Sequence, residues 1–318
     1  MLILEDLSAE VPDTNAYHWN LKQFSKDDGK NVLAYGYNST VNEEIFEKCS
    51  EYERKALFNN WTPCEFSQKE PQPGLSALEY EKGYDIVYSI CPYTNRWLNE
   101  KSLGREYRTI FYPFNQGLVP SEREKEYDVI YHGGIHGQEH IDAMSAMLSF
   151  NYRYCTMTHH INSLTQFFLP YATNTNLDFQ EKINLIAKTK ISICFNLVHI
   201  SPEHIPAIKS YEGWEKNEAF QEVNGQNVKP QFKTRMHEAA ISKTLNLVYR
   251  DRWNIAEDYY KPDEEFIYFD NVKDLRQKIR DITSDWDNYS EIVENAYEKS
   301  MNYTVENFIN HIREDIKK

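Results

Sequence analysis

Arg235-Met236-His237-Glu238-Ala239-Ala240 reads as a helix of small and polar residues, and Leu245-Asn246-Leu247-Val248-Tyr249 just beyond it as a buried strand. Phe266-Ile267-Tyr268-Phe269 gives a further strand, and residues 272–283 a further helix. Helices that deliver the chain to short apolar strands are the repeat of a parallel α/β sheet. Working outward, the same alternation predicts strands at 127–132, 152–156, 166–169 and 191–196, with helices at 138–150, 179–189 and 231–242. Residues 288–318 carry a long helical pattern.

The first third repeats the rhythm. Strands are predicted at 32–37, 84–90 and 109–112, and helices at 42–58 and 76–82, with 55–61 readable as a helix end or a strand. The polar, turn-rich segment 115–127, with Asn115-Gln116-Gly117 and Pro120-Ser121-Glu122, predicts a domain boundary. A chain of 318 residues exceeds the roughly 150 of one ordinary domain.

With 41% hydrophobic residues the composition is globular. A net charge of −14 argues against a nucleic-acid surface, which needs clustered cations, but leaves room for a small phosphorylated ligand on a local basic patch. The five cysteines are scattered without a CxxC pair, as in reduced cytosolic proteins. Acids at Glu5 and Asp6 argue against a leader, and no apolar run reaches the roughly 20 residues of a membrane span. The expectation is a cytoplasmic protein.

Gln231, Arg235 and Glu238 are spaced to share one helix face. That face fits either a solvated Arg–Glu pair or a ligand site. Ligands of α/β sheets lie beyond the carboxyl ends of the strands, where a carboxylate can accept ribose hydroxyls and Lys233 and Arg235 can meet a diphosphate. Tyr131-His132-Gly133-Gly134-Ile135-His136-Gly137 ends a strand in glycines, which lets backbone amides approach a ligand, with His136 able to bond a phosphate or a sugar hydroxyl. Asn196 and Arg252 stand at two further strand ends. His132, His136 and His140 have the spacing of a helical metal site, but Gly133, Gly134 and Gly137 break any helix there, and no metal is expected. In the first half, Tyr93, Asn95 and Arg96 follow a strand and suit sugar binding. Gly-x-Ser-x-Gly, HExxH and kinase signatures are absent.

The stretch Arg235-Met236-His237-Glu238-Ala239-Ala240, the strand 247–249 with Asp251-Arg252, and Phe266 to Asn271 before a helix together resemble nucleotide-sugar-dependent glycosyltransferases of the GT-B fold, of the group 1 type. The resemblance covers about residues 185–312. It implies an α/β protein of two Rossmann-like domains facing across a cleft. The expected parts are an acceptor domain at 1–122, a donor domain at 127–287, and closing helices at 288–318 that pack back on the first. It implies that Glu238 holds the donor ribose, with basic residues on the diphosphate. Many relatives carry a second acid seven residues earlier, where Gln231 stands, and a glycine where Ser242-Lys243 stand. The function implied is metal-independent transfer of a sugar from a nucleoside-diphosphate donor, the donor being a substrate and no cofactor being needed. The partners are that donor and a glycan or sugar acceptor. Asp13 and His18 are the candidate bases. The rival readings are a sugar-nucleotide epimerase of the same fold and a non-catalytic glycan-binding relative.

Overall fold

A computed structural model of the chain describes residues 1–6, 21–36, 43–59, 81, 83–121, 123–157, 166, 168, 173–200, 202, 205–206, 218, 221–223 and 226–318. Two compact α/β units result. Met1–Pro113, Ile200–Phe232 and Tyr303–Lys318 form the first, and Phe114–His199 with Lys233–Asn302 form the second.

The first unit opens with β1 (Leu2–Asp6), β2 (Asn31–Gly36), α1 (Glu43–Cys49), β3 (Arg54–Phe58), β4 (Ile86–Ser89), α2 (Pro92–Glu100) and β5 (Glu106–Thr109). The strands are parallel and lie in chain order, β1-β2-β3-β4-β5. Right-handed crossovers that always advance in one direction put their helices on a single face. Cys49 of α1 and Trp97 and Leu98 of α2 accordingly pack with Val32, Ala34, Leu57 and Val87. The alternate strand residues Ile3, Leu33, Tyr35, Phe58 and Tyr88 face the other way, where among the described crossover residues the short 3-10 turn Leu21–Phe24 packs through Leu21.

The second unit runs β6 (Tyr127–His132), α3 (Gln138–Met147), β7 (Tyr152–Thr156), β8 (Thr173–Thr175), α4 (Phe179–Ala187), β9 (Thr189–Cys194) and β10 (Leu197–His199). The chain then makes an antiparallel hairpin, β11 (Gln221–Val223) and β12 (Gln226–Pro230), that belongs to the first unit. It returns through α5 (Arg235–Ile241), β13 (Leu245–Tyr249), β14 (Ile267–Phe269), α6 (Val272–Ser284) and α7 (Ser290–Ser300). The last helix, α8 (Val305–Asp315), covers the open face of the first sheet, with Val305, Phe308, Ile309 and Ile312 set among Ile3, Leu33, Tyr35 and Phe58.

The second sheet is parallel in the order β14-β13-β9-β6-β7-β8. The chain starts at the centre with β6, moves out to β8, and comes back to the other side of β6 with β9. The ends of β6 and β9 therefore flank the point where the winding reverses, which is where doubly wound sheets bind ligands. One face of the central strands buries the polar Ser192 and Asn246 beside Cys194 and Val248, and the opposite face buries the apolar Ile191, Ile193, Leu245 and Leu247, as strands covered on both sides by helices require. Each such side chain stabilises the fold by about 1.5–3 kcal/mol relative to exposure.

Several sequence expectations change. The helix expected over 42–58 ends at Cys49, and Arg54–Phe58 is strand β3, held in register between β2 and β4 with Ala56, Leu57 and Phe58 buried. The strand expected at 109–112 is β5, shifted to Glu106–Thr109, because Tyr107 rather than Phe111 is the side chain buried on the α2 face. The helix expected from Gln231 starts at Arg235, after Pro230 has closed β12 and biased Lys229 to extended geometry. The tail is two helices, α8 being capped by Thr304, whose hydroxyl accepts from the Asn307 N–H. The helix expected at 76–82 falls almost wholly outside the described residues, as does most of the strand expected at 166–169. Among the described residues no helix is long and apolar enough to cross a membrane.

One buried acid of the first unit carries a prediction. Glu81 accepts from Asn59 Nδ2 (2.7 Å) and from the Tyr107 hydroxyl (2.6 Å), and is fully buried. Burial raises its carboxyl to about 7, against those two hydrogen bonds and Arg105. The unfolded chain loses this proton near the ordinary carboxyl value of 4.5 while the folded chain keeps it, so stability falls as pH rises from there to about 7 and is flat above. The loss amounts to about 3 kcal/mol. Glu81→Gln should flatten this slope in urea unfolding at pH 5 and pH 8; an unchanged slope would show that Glu81 does not carry it.

Candidate functional site

The site at the switch point is built entirely from the second unit. Glu238 lies in the first turn of α5 and is buried. Its Oε1 accepts from the Lys182 ammonium at 3.0 Å. Oε2 lies 3.2 Å from His132 Nδ1, but without hydrogen-bond geometry, so this buried oxygen has no hydrogen-bond partner among the described residues. Of the two readings of this face, the solvated Arg235–Glu238 pair does not form. Gln231 precedes α5 and shares no helix face with either residue.

Burial by itself would raise the Glu238 pKa, but the Lys182 ammonium overrides it and holds the carboxyl far below the ordinary range. His132 is not a charged partner at neutral pH, since burial lowers its pKa more than Glu238 restores it. Its Nε2 is 3.0 Å from Ser192 Oγ on β9, which fixes the ring. Lys182 is placed by the start of α4. There Asp178 and Glu181 cap each other's backbone N–H groups, at 2.7 and 3.0 Å, which sets the turn that carries Lys182 inward.

Gly133 and Gly134 follow β6. Gly133 has φ +144°, a region that L side chains avoid, and a Cβ there would run into the Arg235 guanidinium. Arg235 lies along this loop, its guanidinium carbon 5.4 Å from the centre of the Tyr131 ring. A Cβ on Gly134 would collide with the His136 ring. Gly133→Ala should therefore displace Arg235 and add strain of roughly 1–3 kcal/mol. Both effects are measurable as a lowered unfolding midpoint and weakened binding of anions.

Imidazoles gather beyond this loop. The His136 N–H donates to His140 Nδ1 at 3.0 Å, and His140, buried, is held neutral well below its usual range. His199 Nε2 meets Glu139 Oε1 at 2.7 Å, and its ring centre is 5.3 Å from that of His140. Burial by itself would raise the Glu139 pKa, but the hydrogen bond and charge of His199, together with a backbone hydrogen bond, leave the carboxyl below its usual range.

The structure brings together Glu238, Arg235, Gly133, Gly134 and His136. Lys233 joins them through its N–H, which donates to Asn196 Oδ1 at 2.9 Å; the Asn196 amide meets Met236 Sδ at 3.2 Å, so Asn196 braces the approach to α5. Arg252 is exposed after β13. Tyr93, Asn95 and Arg96 lie on α2 of the first unit. Asn95 is buried, accepting from Ser89 Oγ at 2.7 Å and donating to Thr109 Oγ1 at 3.0 Å, whereas Arg96 is exposed and pairs with Glu218 at 3.2 Å. Asp13 and His18 lie outside the described residues. Sequence reasoning missed Lys182. Its signal was present: Phe179, Lys182, Ile183 and Ile186 share one buried face, and a lysine there needs a buried acid.

These features define the fold class as GT-B, the two-Rossmann-unit architecture of glycosyltransferases. Residues 170–313 match the family described as glycosyl transferase-like. Among solved structures, sucrose-phosphate synthase from Thermosynechococcus elongatus is similar at 10% identity and a TM-score of 0.59, over 99% of this chain and 98% of its own. The G117R mutant of TarM from S. aureus, in complex with UDP among other ligands, is similar at 10% identity and a TM-score of 0.56, over 90% of this chain and 55% of its own. HepE from Anabaena, in complex with UDP and glucose, is similar at 11% identity and a TM-score of 0.56, over 90% and 77%. The chain thus spans little more than half the length of TarM. No curated protein matches it in sequence.

Proposed function

We propose that the protein transfers a sugar from a nucleoside-diphosphate donor to a glycan or another acceptor. The observation that carries this reading is the unmatched Oε2 of Glu238: a buried, ionised carboxylate oxygen at the switch point, suited to a ribose hydroxyl. Arg235, Lys233, the Gly134 amide and His136 would receive the diphosphate. In the reaction the bond from the anomeric carbon to the phosphate oxygen breaks and one to the acceptor oxygen forms. The nucleoside diphosphate leaves, its charge met by Arg235 and Lys233. This scheme requires no divalent metal. The acceptor's proton would pass to Asp13 or His18 if the sugar inverts, and the acceptor role rests on Tyr93 and Arg96, since the Asn95 amide is engaged with Ser89 of β4 and Thr109 of β5. Four buried cysteines without disulfides, Cys49, Cys91, Cys155 and Cys194, support a reducing, cytoplasmic setting.

UDP, seen with TarM and HepE, is the first nucleotide to test. The experiment incubates the protein with a panel of UDP-, GDP-, ADP- and TDP-sugars, with and without candidate glycans, and follows products by mass spectrometry. Acceptor-dependent release of the nucleoside diphosphate is the expected result. Isomerised donor without acceptor would point to an epimerase, and no binding of any donor would end the reading.

A further inference from the structure

Two core tyrosines do more than fill space. Tyr131 on β6 and Tyr154 on β7 are opposite each other in the sheet register, with ring centres 6.0 Å apart and planes 13° from parallel. Both are buried, at 1% and 0% exposure, where phenylalanine would satisfy the packing. Their hydroxyls converge on the glycine loop. Tyr154 donates to the Gly133 carbonyl at 3.0 Å and Tyr131 to the Gly134 carbonyl at 2.8 Å. In a trans peptide the carbonyl and the following N–H point in opposite directions, and the described residues contain no cis peptide. Pinning these two carbonyls towards the tyrosines therefore turns the Gly134 and Ile135 N–H groups the other way. Among the described residues nothing accepts from the Gly134 N–H. The Gly134 amide so turned can meet an anion, and the Arg235 guanidinium rests on the face of Tyr131 beside it.

We propose that Tyr131 and Tyr154 are positioning residues that hold the Gly133–Gly134 peptides with their amides aimed at the donor's diphosphate. The inference rests on the reading above for the identity of the ligand. The hydroxyls act through the loop and touch no substrate. Burial pushes the Tyr131 hydroxyl up to about 12, against the nearby Arg235 charge, so it stays a donor across the working pH range. The glycines and the hydroxyls are complementary: φ at Gly133 permits the peptide orientation, and the tyrosines select it.

The test uses the full chain and two probes, inorganic pyrophosphate and uridine, in calorimetric titrations. Tyr131→Phe and Tyr154→Phe should each weaken pyrophosphate binding by roughly two- to tenfold, one hydrogen bond's worth, and the double variant by more, with uridine affinity unchanged. Glu238→Gln should do the reverse, losing uridine and keeping pyrophosphate. Near-ultraviolet circular dichroism of each variant checks that the core is intact. Phenylalanine variants that bind pyrophosphate as tightly as the wild type overturn the proposal, as does equal weakening for both probes, which would mean a merely structural role. Wild-type protein that fails to bind pyrophosphate also overturns it. Pyrophosphate binding that responds to the tyrosines, without uridine binding, upholds it and counts against the donor reading alone.

Discussion

Glu238→Gln should weaken UDP binding by roughly ten- to a hundredfold, the worth of a charge-assisted hydrogen bond, and reduce turnover of any UDP-sugar at least as much. The same substitution removes the only charge partner that Lys182 has among the described residues, and its ammonium would be left buried. Breaking a buried pair from one side destabilises by about 3–5 kcal/mol, so loss of binding could be mistaken for loss of fold. The pair Glu238→Gln with Lys182→Met separates the two, because it removes both charges. Stability should largely return in the double variant, and nucleotide affinity should not. Recovery of affinity with stability would mean that Glu238 only supports the fold. The pH dependence has the opposite sign to that of Glu81. Burial alone would raise the Glu238 pKa and Lys182 overrides it, so its contribution is complete above the unfolded-state value of about 4.5 and is lost as pH falls below it.

Phe308→Ala should lower stability by about 3–5 kcal/mol, as expected for emptying a fully buried aromatic site. Its ring stands edge-on to Phe58 at 4.8 Å and to Phe111 at 5.8 Å, so the lost volume lies against the first sheet itself. Hydrogen exchange localises the effect: amides of β1 to β4 should lose protection, while those of β6 and β9 keep it. A uniform loss across both sheets, or a change below 1 kcal/mol, would mean that α8 is a loose cover and not part of the core.

The central strands were legible in the sequence. Tyr127–His132, Tyr152–Thr156 and Leu245–Tyr249 have the boundaries that periodicity gave, because alternate residues such as Val129 and Tyr131, Tyr152 and Tyr154, and Leu245 and Leu247 pack into one core while Asp128, Arg153 and Asn246 fall on the opposite face. Edges of elements were less legible. Arg54-Lys55 begins β3 with two cations at the sheet's rim, and Glu106 and Arg108 lie on an edge strand, where composition follows solvent and not the ladder. At the site, Glu238 and the glycines were visible because their types are unusual in context. Their partners were not, since Lys182 lies 56 residues before Glu238 and meets it only where α4 packs beside α5, and Ser192 reaches His132 only through the β6–β9 pairing. The tyrosine hydroxyls were hidden differently: a core Tyr looks like a core Phe until its hydrogen bond is located.

The placement of α8 also bears on how the protein is made. A ribosome releases the chain from its first residue, and domains generally fold as units while it emerges. Here the five strands at residues 2–109 cannot close their second face until residues 305–315 have left the exit tunnel. The unit synthesised first is thus completed last, after the entire second unit has had time to fold. During that interval its sheet presents Leu33, Tyr35, Phe58 and Tyr88 to the cell, a surface of the kind that chaperones hold.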